Sequence, residues 1–73
     1  MNVIPLRRAV EARSKYEIWT GISKETGREV WVIELIDDDG SRLVLDVCES
    51  FADATRHIDD WEVGYVVKDY RLH

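Results

Sequence analysis

The residues of this chain that could do chemistry are an acidic triplet, one cysteine and two histidines. Asp37, Asp38 and Asp39 precede Gly40, and oxygen ligands followed by a turn glycine suit a calcium ion. The glutamate that ends a twelve-residue calcium loop is missing, because Cys48 stands in its place. A tight turn accounts for all of these residues, so we predict no metal site.

His57 is a candidate for general acid–base chemistry. Asp53 lies four residues before it and Asp60 three residues after it, on the polar side of a predicted helix. A carboxylate that orients an imidazole is one half of such a mechanism. The sequence places no nucleophile or second catalytic group beside it, and a solvated helix surface has the same pattern.

Cys48 is predicted to be a small buried apolar residue. Its neighbours Asp46 and Glu49 carry negative charge, which raises the pKa of a thiol and disfavours the reactive thiolate. We therefore predict no enzyme, no catalytic residue and no cofactor.

The elements that position these residues are organised around a hairpin over residues 30–47. A three-residue loop over 38–40, with Gly40 in the left-handed conformation, sets Asp37 opposite Ser41. The predicted cross-strand pairs are Leu35 with Leu43, Ile33 with Leu45, and Trp31 with Val47. A two-residue loop would turn Glu34 onto this apolar face, and we reject it.

A first strand over residues 16–22 precedes this hairpin. The four-residue loop over 24–27 uses Gly27 in the left-handed position. It sets Ile18 against Ile33, Tyr16 against Leu35, and Thr20 against Trp31. The two turns thus agree on one apolar face, which supports both.

An amphipathic helix is predicted after the third strand. Ser50 is its N-cap, and Phe51, Ala54, Ile58 and Trp61 recur at helical spacing. After Gly64, the β-rich run over residues 65–70 is predicted to be a fourth strand beside the first. The predicted core is Tyr16, Ile18, Trp31, Ile33, Leu35, Leu43, Leu45, Val47, Phe51, Ala54, Ile58, Trp61, Tyr65 and Val67.

The fold class is therefore α+β: a three-stranded antiparallel meander, one helix packed on one face and a C-terminal fourth strand, in the order 3-2-1-4. Residues 1–14 are an N-terminal segment, either extended or with one or two helical turns from Pro5, where Leu6 and Val10 form a narrow apolar stripe. Residues 15–73 are predicted to form a single domain.

A chain of 73 residues buries only about 60% of the surface that its unfolded form exposes. One cysteine cannot form an intramolecular disulfide, so self-association is the most available source of added stability. No run of eighteen apolar residues and no signal peptide is visible, and we expect a cytoplasmic protein that does not enter a membrane.

The net charge of −5 is unevenly distributed. Residues 1–28 carry six basic and three acidic residues (+3), and residues 29–73 carry four basic and twelve acidic residues (−8). The two segments should attract each other, within one molecule or between two. Interspersed charge also keeps a small domain soluble, which explains the same composition.

The sheet face opposite the helix is the predicted interface. The side chains on a solvated face of an antiparallel sheet are mostly polar, but this face carries a Trp and several β-branched residues. The interface residues are predicted to be Trp19, Val30, Val32, Ile36 and Val44. Either the N-terminal segment covers them or the same face of a second copy does, and we favour a non-catalytic binding or assembly module that forms a homodimer.

Two alternatives involve nucleic acid. Three strands followed by a helix that begins Ser50-Phe51-Ala52-Asp53-Ala54 resemble the arm-binding domains at the N-terminus of tyrosine recombinases, which implies a sheet-based DNA-binding module. Those domains present basic strands, whereas these carry Glu17, Glu34 and Asp46, so nucleic acid is not the expected partner. The acidic surface could instead imitate a phosphate backbone and inhibit a nucleic-acid-binding protein, as small phage inhibitors do.

Overall fold

A computed structural model of the chain describes residues 2–6, 9–13 and 15–71, with side chains described as far as Glu62. The elements are β1 (Val3–Pro5), β2 (Glu11–Arg13), β3 (Tyr16–Ser23), β4 (Glu29–Ile36), β5 (Arg42–Cys48) and α1 (Phe51–Arg71). All strand pairs are antiparallel. The α+β class, with one C-terminal helix beside an antiparallel sheet, is confirmed.

The sheet has the order β1-β3-β4-β5, and β2 also pairs with β3. The meander of β3, β4 and β5 was predicted, but the position beside β3 is taken by β1 and β2 and not by a C-terminal strand. Ile4 is opposite Ile22 in β1, and Ala12 is opposite Glu17 in β2. The helical turns predicted from Pro5 are not found in residues 2–6 and 9–13. The predicted order 3-2-1-4 is therefore wrong at its last position.

Both turns form as predicted. The amide of Asp37 donates to the carbonyl oxygen of Ser41 at 2.9 Å, and the amide of Ser23 donates to that of Arg28 at 2.9 Å. Gly40 and Gly27 have φ angles of 86° and 72°. As a result, Ile18 lies opposite Ile33 and the β3–β4 register is the predicted one throughout.

The β4–β5 register follows the prediction only as far as Glu34. Leu35 is opposite Leu43 and Glu34 is opposite Val44, but a β-bulge then sets Ile33 opposite Asp46. The predicted pairs Ile33 with Leu45 and Trp31 with Val47 are wrong, because one extra residue in β5 shifts the remaining pairs by one. Trp31 is opposite Cys48, and Val32 is opposite Val47.

The helix is longer than predicted. Its N-cap is confirmed, since the amide of Asp53 donates to Ser50 Oγ at 3.1 Å. It continues through Gly64 to Arg71, so the predicted strand over 65–70 is wrong. A glycine inside a helix lowers the stability of the helix by only about 1 kcal/mol. The predicted strand would have paired with the edge of β3, and β1 and β2 already pair with that edge.

The core lies between the sheet and α1. Its buried members are Ile18, Ile33, Cys48, Ala54 and Ile58, with Tyr16, Trp31, Phe51 and Trp61 packed against them. These were predicted, although Cys48 was not in the predicted core set. Leu43, Leu45 and Val47 were predicted to be buried and are 57%, 38% and 40% exposed. Tyr65 and Val67 lie outside the described side chains.

An ion pair joins the helix to β2. Arg13 Nη1 donates to Asp59 Oδ1 at 2.5 Å, and Arg13 Nε donates to Glu11 Oε1 at 2.6 Å. These contacts raise the pKa of Arg13. They supply a cationic partner for one of the carboxylates in the acidic stretch of the helix, which the sequence alone did not identify.

We predict that Gly40→Val and Gly27→Val each lower the free energy of unfolding by about 1 to 2 kcal/mol. An added Cβ meets no atom within 4 Å at either position, so the cost comes from the left-handed backbone alone. Urea denaturation measures the loss, and Gly40→Asn should lose less because Asn tolerates this conformation. Unchanged denaturation midpoints for both valine variants would contradict the loop assignment.

Candidate functional site

The sheet face opposite the helix holds most of the predicted interface residues, and three of them are already buried within one chain. Trp19 is 2% exposed, Val30 is 7% exposed and Val32 is fully buried. Val3 of β1 packs against these three residues, which we call the outer-face cluster. The cluster is part of the monomer's own core and has little area left to bury against a partner.

A polar network adjoins the outer-face cluster. Trp19 Nε1 donates to Glu34 Oε1 at 2.5 Å, which satisfies the indole and a carboxylate that is only 6% exposed. Arg42 Nη1 lies 2.7 Å from Glu17 Oε1 and 3.8 Å from Glu34 Oε1. The bond to Glu17 is the main cause that raises the pKa of Arg42. The burial of Glu34 on β4, which the sequence did not explain, therefore has a structural reason: its carboxylate accepts the hydrogen bond of the Trp19 indole on β3.

The other two predicted interface residues are less buried. Ile36 is partly exposed, and Val44 is 38% exposed on β5. Of the predicted interface, Val44 is thus the residue most open to a partner, and it lies on an edge strand.

Strand β5 exposes four apolar side chains, three of which the sequence placed in the core. Leu43, Val44, Leu45 and Val47, which we call the β5 strip, are each at least 38% exposed. The bulge accounts for Leu45 and Val47, because it turns Asp46 and Cys48 toward the helix in their place. Leu43 and Val44 lie before the bulge and pair with β4 as predicted. No glycine or proline marks this bulge in the sequence, so pattern reasoning could not find it.

The bulge also assembles a cluster of chemically active side chains. His57 Nδ1 lies 3.0 Å from Asp46 Oδ2, so the partner of His57 is Asp46 on the sheet. The His57 ring meets the Trp61 ring edge-on, with centroids 5.8 Å apart. Cys48 lies beside this pair, and ligand atoms of Asp46, Cys48 and His57 are all within 4.8 Å of one another. The sequence singled out His57 and Cys48 but placed neither beside the other.

The thiol in this cluster is not an activated nucleophile. Cys48 is 6% exposed, and burial, followed by the charges of Asp46 and Asp53, raises its pKa to about 11. A nucleophilic cysteine needs the opposite environment, with a lowered pKa and an open approach. The buried character predicted for Cys48 is present, although Asp53 acts on it where Glu49 was expected to.

An open cleft of about 330 Å³ lies on the helix side of the sheet, near β1. It is lined by Leu6, Val10, Thr20, Glu29 and Trp31. The described lining residues offer one carboxylate and one hydroxyl, and Glu29 is the only one of them with an ionisable side chain.

The acidic triplet forms the turn. The amide and hydroxyl of Ser41 both donate to Asp39 Oδ1, at 2.9 Å and 2.7 Å. The hydrogen bond from the Ser41 amide is the main cause that lowers the pKa of Asp39. The hydroxyl of Ser41 also lies 3.1 Å from Asp37 Oδ2. These hydrogen bonds give the triplet a structural role in the loop between β4 and β5.

Within the described part of the chain, no helix combines the length and the apolar character that crossing a membrane requires. Comparison of the chain with family models, with curated proteins and with solved structures finds no match.

Proposed function

We propose that this protein is a non-catalytic assembly module that binds a second copy of itself through the β5 strip. The observation that carries the proposal is the exposure of Leu43, Val44, Leu45 and Val47 on an edge strand. An edge strand presents unpaired amide and carbonyl groups, and an exposed apolar edge strand favours pairing with another chain. The strip supplies both the backbone groups and the apolar area.

A two-fold axis near Val44 suits this strand. Antiparallel pairing about that residue brings Leu43 of one copy against Leu45 of the other and sets the two Val44 side chains together. None of these three positions is charged, so no like charges meet at the centre. The Val47 amide already donates to Asp46 Oδ1 at 2.8 Å, so it is engaged within the chain. Pairing with a second copy is therefore favoured over the first half of β5.

The size of the chain favours the same proposal. A domain of 73 residues with no disulfide gains proportionally more from added burial than a large one does. A contact made by one short strand lies at the low end of the areas typical of specific interfaces. We therefore expect a dissociation constant on the order of micromolar.

We predict that Leu45→Lys abolishes self-association. The wild-type chain should be dimeric at high micromolar concentration, and the variant monomeric, because two lysines would meet an apolar strip near the two-fold axis. Sedimentation equilibrium over a concentration series measures both. Trp19→Lys is a poor test, since Trp19 is buried and its loss would unfold the monomer.

Ile4→Lys is the matched control. Ile4 is 50% exposed on β1, at the opposite edge of the sheet, so the same change in charge is made on an apolar residue that is somewhat more exposed than Leu45, at 38%. We expect it to dimerise like the wild type. A monomeric wild type at high micromolar concentration contradicts the proposal, and so does a dimer that Ile4→Lys disrupts and Leu45→Lys does not.

The pairing of two acidic residues of the sheet favours assembly over imitation of a phosphate backbone. Glu17 is bonded to Arg42, and Asp46 is bonded to His57. A phosphate mimic needs an open row of carboxylates for a basic protein, and these carboxylates are already engaged within the chain.

A further inference from the structure

We propose that Asp46, Cys48 and His57 form a binding site for a divalent transition-metal ion, with zinc as the best match. The site shares no residue with the β5 strip, and its three side chains face the helix. The proposal rests on the placement of the three ligands, on their separation and on the combination of donor types.

The placement follows from the bulge in β5. Asp46 and Cys48 are two residues apart on one strand, so their side chains lie on the same face of the sheet. The bulge sets them opposite Ile33 and Trp31, on the face where α1 packs. His57 comes to the same place from the helix, one residue before the fully buried Ile58. Two packed elements thus hold the three ligands.

The separation of the ligands is close to what zinc needs. His57 Nδ1 and Asp46 Oδ2 are 3.0 Å apart, and all three donor atoms lie within 4.8 Å of one another. Zinc binds nitrogen and oxygen at about 2.0 to 2.2 Å and sulfur at about 2.3 Å, so tetrahedral ligands stand roughly 3.4 to 3.8 Å apart. The upper limit of 4.8 Å exceeds this tetrahedral spacing by only about 1 Å.

The donor types select the ion. One thiolate, one imidazole and one carboxylate are all zinc ligands, and soft sulfur with imidazole favours zinc or cobalt over magnesium or calcium, which prefer oxygen alone. Asp46 and His57 have side-chain exposures of 37% and 43%, which leaves a path for the ion and a fourth position for water. Cys48 closes the buried side of the site.

Titration of the 73-residue chain with zinc alone and with cobalt alone tests the site. We expect one ion per chain by calorimetry, a raised thermal midpoint with zinc because the ion binds the folded state, and a thiolate-to-cobalt charge-transfer band in the near ultraviolet. Cys48→Ala should abolish this band and weaken zinc binding at least tenfold. His57→Gln should weaken zinc binding at least tenfold.

His57→Gln also guards against a folding artefact, because a side chain as exposed as His57 can be replaced without emptying the core. Asp60→Asn is the control, since it removes an exposed carboxylate of the same helix that is not a proposed ligand, and it should bind zinc like the wild type. The proposal is overturned if the wild type shows no thiolate band, or if it binds zinc no more tightly than Cys48→Ala and His57→Gln do.

Discussion

The Ile58→Ala variant should lose about 3 kcal/mol of its free energy of unfolding, within the range of about 2 to 5 kcal/mol for such changes in a core. Ile58 is fully buried and belongs to the cluster that includes Ile18, Ile33 and Ala54. Removing its outer carbons leaves a cavity between helix and sheet. A domain of this length has a total stability of about 4 to 11 kcal/mol, so the loss is a large fraction of it. Urea denaturation followed by circular dichroism measures the change.

Leu43→Ala is the matched control for this prediction. Strand alternation assigns Leu43 to the core and helical spacing assigns Ile58 to it, but Leu43 is 57% exposed. Its truncation should cost less than about 1 kcal/mol in the monomer. The comparison is made at low protein concentration, where any contact through the β5 strip is dissociated. Equal losses for the two variants would contradict the packing of α1 described above.

The parts of the fold that were predictable from sequence are those with a local chemical requirement. Gly27 and Gly40 mark left-handed positions, and such a position fixes the length of its loop. The loop length then fixes the register, which is why the β3–β4 pairing agrees from end to end. Ser50 marks the start of the helix in the same local way.

The bulge in β5 was not predictable, because no residue type requires it. Strict alternation would have buried Leu45 and Val47 and left Asp46 outside. In the structure Asp46 reaches His57 Nδ1 and the amide of Val47, while Leu45 and Val47 remain partly exposed. The contact between Asp46 and His57 joins β5 to α1, and alternation along a single strand does not record such a contact.

The predictions for the two ends of the chain were wrong for a related reason. The run over residues 65–70 is rich in β-formers but continues a helix, and the N-terminal segment has a helical stripe but contributes two strands. Propensity does not record which sheet edge is free. Once β1 and β2 occupy the edge of β3, a strand from the C-terminus has no place beside it.

The candidate sites depend on the same bulge. His57 and Cys48 are individually reactive residue types, but strand alternation assigns Asp46 to the opposite face, so the sequence does not bring the three together. For the outer face, the sequence predicted a cover, either the N-terminal segment or a second copy. In the structure Val3 of the N-terminal segment packs against the cluster, and Trp19 is bonded to Glu34.

Gly21→Ala should destabilise the chain by about 2 kcal/mol and release β1 from the sheet. An added Cβ would overlap Val3 Cγ1 and would lie 2.7 Å from the carbonyl oxygen of Ile4 and 3.2 Å from Trp19 Cζ3. The valine side chain can rotate, but the Ile4 carbonyl belongs to the backbone of the adjacent strand, so β1 must move away. Costs of about 1 to 3 kcal/mol are typical when a packed site is overfilled.

Amide hydrogen exchange separates this effect from a general loss of stability. The Leu6 amide donates to the carbonyl oxygen of Thr20 at 2.9 Å, and it should exchange much faster in Gly21→Ala than in the wild type. Gly27→Ala is the control: its Cβ meets no atom, its cost of about 1 kcal/mol comes from the backbone angle, and it should leave the Leu6 amide protected. If Gly21→Ala kept that protection and lost no more stability than Gly27→Ala, β1 could not be packed on β3 as described, and the burial of Trp19 would need another cover.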